Sequence, residues 1–133
     1  MSPAVHPVRI LVVDDYPDTA AVIGKLLSRQ GHEVFLAHDG ADAVHVAETT
    51  RPEVVLLDIK LPVLNGYDVA KQIRERPWAQ DVVLIAHTGM TGKDCYDKCV
   101  DAGFNFQLSK PAQLKELAQA IALLNVPAAA RQL

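Results

Sequence analysis

Only two cysteines occur in the 133 residues, which excludes a disulfide-stapled scaffold and makes a reducing compartment the default. No apolar run exceeds five residues (Val82 to Ala86, and Ala120 to Leu124), far below the roughly 20 that a membrane span needs. The N-terminus lacks a basic segment followed by a long apolar stretch, so no secretory signal is read there. Basic residues are not in excess either. Thirteen Lys and Arg against sixteen Asp and Glu give a net charge of -3, without the strongly basic surface typical of nucleic-acid binding. Internal repeats and linkers are also missing. What is present is material for one core: half the residues are hydrophobic and 22% charged, at a length close to that of a common single domain. The expectation is a small cytoplasmic domain with neither membrane nor nucleic acid as partner.

Short β-branched runs alternate with amphipathic stretches. Strands are predicted at 8–13, 33–37, 53–57, 82–87 and 104–108. Three contain nearly continuous apolar runs (Ile10 to Val13, Val54 to Leu57, Val82 to Ala86), the pattern of strands covered on both faces in a parallel sheet. Between them, Val22, Ile23, Leu26 and Leu27 form one helical stripe, and Leu114, Leu117, Ala118, Ile121 and Leu124 another. Gly31 and Gly103 stand where helices need a left-handed terminus, Asp39-Gly40 and Asn65-Gly66 mark turns, and Pro77 ends the third helix. Residues 1–7 and 126–133 read as loose ends around a domain of 8–125. Alternating β and α elements imply a parallel sheet with helices on both faces, and sites in such sheets form beyond the carboxyl ends of the strands.

Polar residues gather at those ends. The first strand runs into Asp14-Asp15, the third ends in Asp58, the fourth in Thr88, and Lys110-Pro111 follows the fifth. In a strand order of 2-1-3-4-5 the first and third strands are neighbours, and the three carboxylates converge. Two like charges about 4 Å apart repel by roughly 4 kcal/mol at an effective dielectric near 20. Lys110 offsets one charge. A divalent metal with oxygen ligands and open positions would offset the rest, which favours magnesium over a fully caged calcium. Any one Asp at a strand end is more often a solvated turn residue or helix cap. Five such residues at the ends of the four expected strands are harder to read that way.

On these motifs the sequence resembles the receiver domain of two-component response regulators. The matching stretches are Ile10 to Asp15, Val54 to Pro62 with Asn65-Gly66-Tyr67, Ile85 to Gly89, Asp101-Ala102-Gly103 and Ser109-Lys110-Pro111, spread over about 8–125. The stretch His32 to Pro77 and Ala102-Gly103-Phe104 are most similar to receivers attached to hybrid sensor kinases. The resemblance implies a flavodoxin-like (βα)5 fold with Asp58 as phosphoacceptor. It further implies magnesium bound by Asp15, Asp58 and the backbone carbonyl of Lys60, with Asp14 acting through a water. Thr88 would hydrogen-bond the phosphoryl group, Lys110 would pair with it, and the Lys110-Pro111 peptide would be cis. The implied partners are a histidine kinase or histidine phosphotransfer protein, and a protein target on the fourth helix, fifth strand and fifth helix. The only catalysis implied is of its own phosphorylation and dephosphorylation. The expectation is a single receiver with no output domain attached, and a receiver cut from a hybrid kinase would look similar.

The chain also departs from that family. Three residues before the lysine, where an aromatic or His usually follows the threonine on phosphorylation, stands Gln107. Phe106 is adjacent, but neighbouring strand residues face opposite sides, so it is not expected to substitute. Lys60 either screens the phosphoryl group or extends into solvent, Met90 holds the corresponding place after Thr88, and Tyr16 either lines the pocket or caps the first helix.

Other signals are weaker. Cys95 and Cys99 share one helix face, but no further Cys or His follows at ligand spacing, so they read as half-buried packing residues. His6, His32, His38, His45 and His87 show no metal spacing, and His87 is assigned to its strand rather than to chemistry. Gly89-Met90-Thr91-Gly92-Lys93 lacks the spacing of a phosphate loop and reads as a loop and helix start. Lys71, Arg74, Glu75 and Arg76 read as a solvated helix face. Two rivals remain: a phosphorylation-independent scaffold, to which Gln107 gives weight, and a haloacid-dehalogenase-like phosphohydrolase. The latter wants a second acid two residues after Asp58, where Lys60 stands.

Overall fold

The apolar runs become five parallel strands in a computed structural model that describes residues 7–89 and 92–125. They are β1 (Arg9–Val13), β2 (Glu33–Ala37), β3 (Val54–Leu57), β4 (Val83–Thr88) and β5 (Phe106–Ser109), in the order β2-β1-β3-β4-β5. The helices between and after them are α1 (Pro17–Arg29), α2 (Gly40–Thr50), α3 (Gly66–Arg74), α4 (Lys93–Ala102) and α5 (Leu114–Ile121). This is the flavodoxin-like arrangement expected from the sequence.

Alternation along the strands divides the core into two layers. Leu11, Val13, Val55, Leu57, Leu84 and Ala86 pack with Ala43 and Ala47 of α2, Val69, Ala70 and Ile73 of α3, and Cys95 and Cys99 of α4. Ile10, Val12, Val54, Leu56, Val83 and Ile85 pack with Ala20, Ile23 and Leu27 of α1 and Leu117 and Ala120 of α5. Because both faces are covered, the central strands are apolar from Ile10 to Val13, Val54 to Leu57 and Val83 to Ala86, and polar residues gather where β1, β3 and β4 end.

Several local expectations change. β5 starts at Phe106 rather than residue 104, because Asn105 uses its side-chain oxygen to accept the Leu84 N–H at 3.0 Å. Val22 is exposed and α1 buries Ala20 and Gly24 beside Ile23 and Leu27, while α5 buries Ala120 and exposes Ala118. The assumed stripes were each rotated from the true face. Asp39-Gly40 and Asn65-Gly66 are helix starts: Asp39 caps the Asp42 N–H at 2.7 Å and Asn65 the Asp68 N–H at 3.0 Å. Gly31 and Gly103 do terminate helices at positive φ, 94° and 96°. Apart from Pro7, the expected loose ends lie outside the described residues, as does Met90.

Arg74 is the largest correction. Instead of facing solvent, its guanidinium donates to the carbonyls of Gly103 (2.9 and 3.0 Å), Ala79 (3.0 Å) and Val82 (2.7 Å) and to Asn105 Oδ1 (2.6 Å). Its planar fork of donors suits several acceptors at once, and it ties α3 to the entries of β4 and β5. Its neighbour Arg76 pairs with Glu48 at 3.6 Å on the surface.

Val63, in the loop between β3 and α3, has a φ of 71° and is 85% exposed. A β-branched residue is strained there and gains little from packing. Val63→Gly is expected to stabilise the fold by about 1 kcal/mol, the relief of strain exceeding the entropy glycine adds to the unfolded chain; urea unfolding of both forms checks it. Buried His32 accepts the Val8 N–H on Nδ1 at 3.2 Å, and burial lowers its pKa below 6.5. Its neutral form is what the fold favours, so this stability is complete above pH 6.5 and lost as pH falls from there through the folded pKa. The urea midpoint should drop between pH 7.5 and 5.5, and drop less in His32→Asn, whose amide oxygen does not titrate.

Candidate functional site

Strand register brings the acids together. Val13 pairs with Leu57 at the ends of β1 and β3, so Asp14 and Asp58 are the next residues on adjacent strands. Their amides continue the ladder, Asp14 N–H to the Ala37 carbonyl at 3.1 Å and Asp58 N–H to the Val13 carbonyl at 3.0 Å. Carboxylate oxygens of Asp14, Asp15 and Asp58 lie within 4.8 Å of one another, Asp14 and Asp58 buried and Asp15 exposed.

On the far side, Thr88 pairs with Ser109 and accepts the Lys110 N–H on its carbonyl at 3.0 Å. That contact starts the turn from which Lys110 reaches back across the sheet end. Its Nζ lies 2.9 Å from Asp14 Oδ2 and 2.8 Å from Asp58 Oδ2. The second oxygen of each acid accepts a backbone N–H: Tyr16 to Asp14 Oδ1 at 2.9 Å, and Lys60 to Asp58 Oδ1 at 3.3 Å. The Lys110-Pro111 peptide is cis, as the resemblance implied.

Charge in the cluster is unevenly held. Burial pushes the Asp58 carboxyl above its ordinary range, and the Asp14 charge adds to this, while Lys110 pulls the other way. Burial alone would lower Lys110, but its hydrogen bonds to Asp58 and Asp14 prevail and raise it, so it stays an ammonium. One cation thus faces three carboxylates. Their hard oxygens are the donor set that suits magnesium, which takes one or two carboxylates and keeps waters or phosphate in its other positions.

Asp15, Tyr16, Asp58, Lys60, Thr88, Gly89 and Lys110 line one open cleft of about 470 Å³. Every site residue named from the sequence therefore has a place in or against it, Asp14 through its bond to Lys110. Tyr16 both lines the cleft and occupies the N-cap of α1, where its side chain makes no capping bond. Lys60 is exposed at the rim. Gly66 is what lets α3 approach: a Cβ there would run into the Asp58 carbonyl.

Gln107 and Phe106 diverge as alternation requires. Phe106 packs in the layer of α1 and α5, whereas Gln107 Nε2 lies 3.4 Å from Cys95 Sγ in the other layer. Tyr67 Oη donates to the same sulfur at 3.5 Å. Cys95 and Cys99 are fully buried, not half-buried, and burial pushes the Cys99 thiol up to about 12. Cys99 is therefore not a reactive thiolate. Sequence reasoning missed two residues, Arg74 and Tyr67, whose neighbours in the chain carry no sign of their tertiary partners.

Asp15 is the acid without a bond to Lys110 and is open to solvent, so its repulsion sits at the watery end of the Coulomb range. In metal-free buffer Asp15→Asn is expected to stabilise the fold by roughly 1 kcal/mol. Thermal melts with and without magnesium chloride check this, since the variant should also respond less to the metal.

Sequence comparison matches residues 10–122 to the family described as response regulator receiver domain. The response regulator MprA of Mycobacterium sp. (strain KMS) is 38% identical over 114 residues, 84% of this chain and 47% of that protein. The transcriptional regulatory protein PdtaR of Mycobacterium tuberculosis is 33% identical over 121 residues, 90% of this chain and 58% of that protein. The chain thus spans about half the length of the curated relatives it matches. The solved receiver domain of the sensor histidine kinase PA1611 from Pseudomonas aeruginosa, with magnesium in its active-site cleft, has a TM-score of 0.80 and 35% identity. That match covers 87% of this chain and 95% of the other. The chemotaxis protein CheY4 of Vibrio cholerae shares the fold at a TM-score of 0.84 and 24% identity, over 89% of this chain and 98% of its own. Strand order, the acids at the switch point and these likenesses lead to one conclusion: the chain belongs to the receiver-domain family of response regulators.

Proposed function

We propose that Asp58 accepts a phosphoryl group from a phosphohistidine donor in a magnesium-dependent step, and that this alters a protein-binding surface. The observation that supports it most is the double contact of Lys110 with Asp14 and Asp58 at the floor of a cleft open to solvent. An ion pair with no other purpose would not need a third carboxylate beside it.

Asp15, Asp58 and the Lys60 carbonyl would hold the metal directly, with Asp14 acting through a water; when bound it supplies positive charge to the phosphoryl oxygens. The Asp58 carboxylate attacks phosphorus as the bond to the donor's imidazole nitrogen breaks. The electron pair of that bond leaves with the imidazole, and an aspartyl phosphate remains. The Lys110 ammonium, still beside Asp14, then pairs with the phosphoryl group in place of the Asp58 carboxylate, and the Thr88 hydroxyl can donate to a phosphoryl oxygen. Such catalysis is mostly positioning and charge neutralisation. The chain turns over no external substrate in this reading, and its setting is the cytoplasm.

The donor is a histidine kinase or histidine phosphotransfer protein. The responding surface is α4, β5 and α5, where Tyr96 (41% exposed) and Val100 (46% exposed) lie four residues apart on the outer face of α4. One observation favours the rival scaffold: Gln107, at the place of the usual aromatic, is already tethered to Cys95.

Incubation with acetyl phosphate and magnesium, read by intact mass, separates the readings. A receiver gains one labile phosphoryl group that Asp58→Asn abolishes, and beryllofluoride with magnesium protects amides along α4 from exchange. An unchanged chain supports the scaffold, and turnover of an external phosphoester a hydrolase. In a beryllofluoride complex Phe106 should stay in the α1 and α5 layer; an inward swing would refute the rewired coupling.

A further inference from the structure

His87 is a buried polar residue that does not line the cleft. It is 3% exposed, on the stretch of β4 that ends in Thr88. Its side chain leaves the strand on the opposite face from Thr88, toward the turn between β5 and α5. There its Nε2 accepts the N–H of Ala112 at 3.3 Å.

The turn's backbone donors show what this bond does. Lys110 N–H goes to the Thr88 carbonyl, Pro111 has no N–H, Ala112 N–H goes to His87, and Gln113 N–H goes to Glu116 Oε1 at 2.9 Å. The two bonds that fix the turn on either side of Pro111 both end on the adjacent pair His87-Thr88. One strand terminus thus offers Thr88 to the cleft and, through His87, holds the segment that carries Lys110. An apolar residue would fill the same space and leave the Ala112 N–H without this acceptor.

We infer that His87 is a positioning residue for Lys110, its neutral imidazole clamping the Ala112 amide so that the ammonium is held over Asp58 before phosphoryl transfer. This rests on the proposed phosphorylation of Asp58. The clamp exists only while Nε2 is an unprotonated acceptor. The charged groups that act on the ring are Lys110 after β5, Asp14 after β1 and Glu116 on α5; burial, then Lys110, lowers its pKa below 6.5 against the pull of the two acids. The clamp is therefore complete at neutral pH and released as pH falls below 6.5 through the folded pKa.

The test compares wild type, His87→Leu and His87→Gln, whose amide oxygen can replace Nε2 without titrating. It reads the initial rate of Asp58 phosphorylation by acetyl phosphate with magnesium from pH 5 to 8, and exchange of the Ala112 amide by NMR. The clamp predicts a rate loss of roughly tenfold or more in His87→Leu with faster Ala112 exchange, and recovery in His87→Gln. It also predicts that the ratio of wild-type to His87→Gln rate falls on acidification. Equal rates in wild type and His87→Leu would overturn the clamp, as would parallel pH profiles of wild type and His87→Gln, which decide the matter if His87→Leu does not fold. A wild-type chain that takes no phosphoryl group overturns instead the function on which the clamp rests.

Discussion

One ammonium group facing three carboxylates is the constraint around which the functional end of this molecule is arranged. Lys110 is held between Asp14 and Asp58 at 2.8–2.9 Å, while Asp15 stands beside them. The fold does not neutralise this cluster by itself. Burial sharpens the repulsion between Asp14 and Asp58 and strengthens the attraction of each for Lys110. A protein built only for stability would replace such a group with apolar packing. Keeping it leaves an excess of negative charge at the end of the sheet, which a divalent cation with oxygen ligands would offset.

The sheet makes that arrangement possible. Strands covered on both faces place their first polar residues together, and the switch between β1 and β3 puts Asp14 beside Asp58. The helices complete it locally. Gly66 lets α3 start against the Asp58 carbonyl, and Thr88 and His87 tie down the turn that delivers Lys110. At the other end, Arg74 does comparable work on carbonyls that no strand or helix satisfies.

The five strands and the polar residues at their ends were legible because each depends on local signals: β-branched runs, helix spacing and composition. The order 2-1-3-4-5, and with it the convergence of Asp14, Asp15, Asp58, Thr88 and Lys110, is what the family resemblance implied. Opposite facings of Phe106 and Gln107 followed from the period of two alone. What was not legible depends on partners distant in the chain. Nothing next to Arg74 announces that Gly103 and Val82 will present carbonyls to it, so adjacent charges made it look solvated. The rotated faces of α1 and α5 have the same origin: Val22 and Ala118 fit the spacing as well as Gly24 and Ala120, and only contact with the sheet decides. Asp39 and Asn65 were misread as turns because a cap and a turn draw on the same residue types.

The sulfur of Cys95 receives donors from two other elements, Tyr67 on α3 and Gln107 on β5, at 3.4–3.5 Å. Thiol sulfur is a weak and polarizable acceptor, so neither bond is costly to exchange. The seam between α3, α4 and the sheet edge is therefore a soft joint in an otherwise tightly keyed structure. A displacement of α3 or α4 exchanges these sulfur contacts, whereas a displacement of α1 must break the apolar packing of Ala20, Ile23 and Leu27.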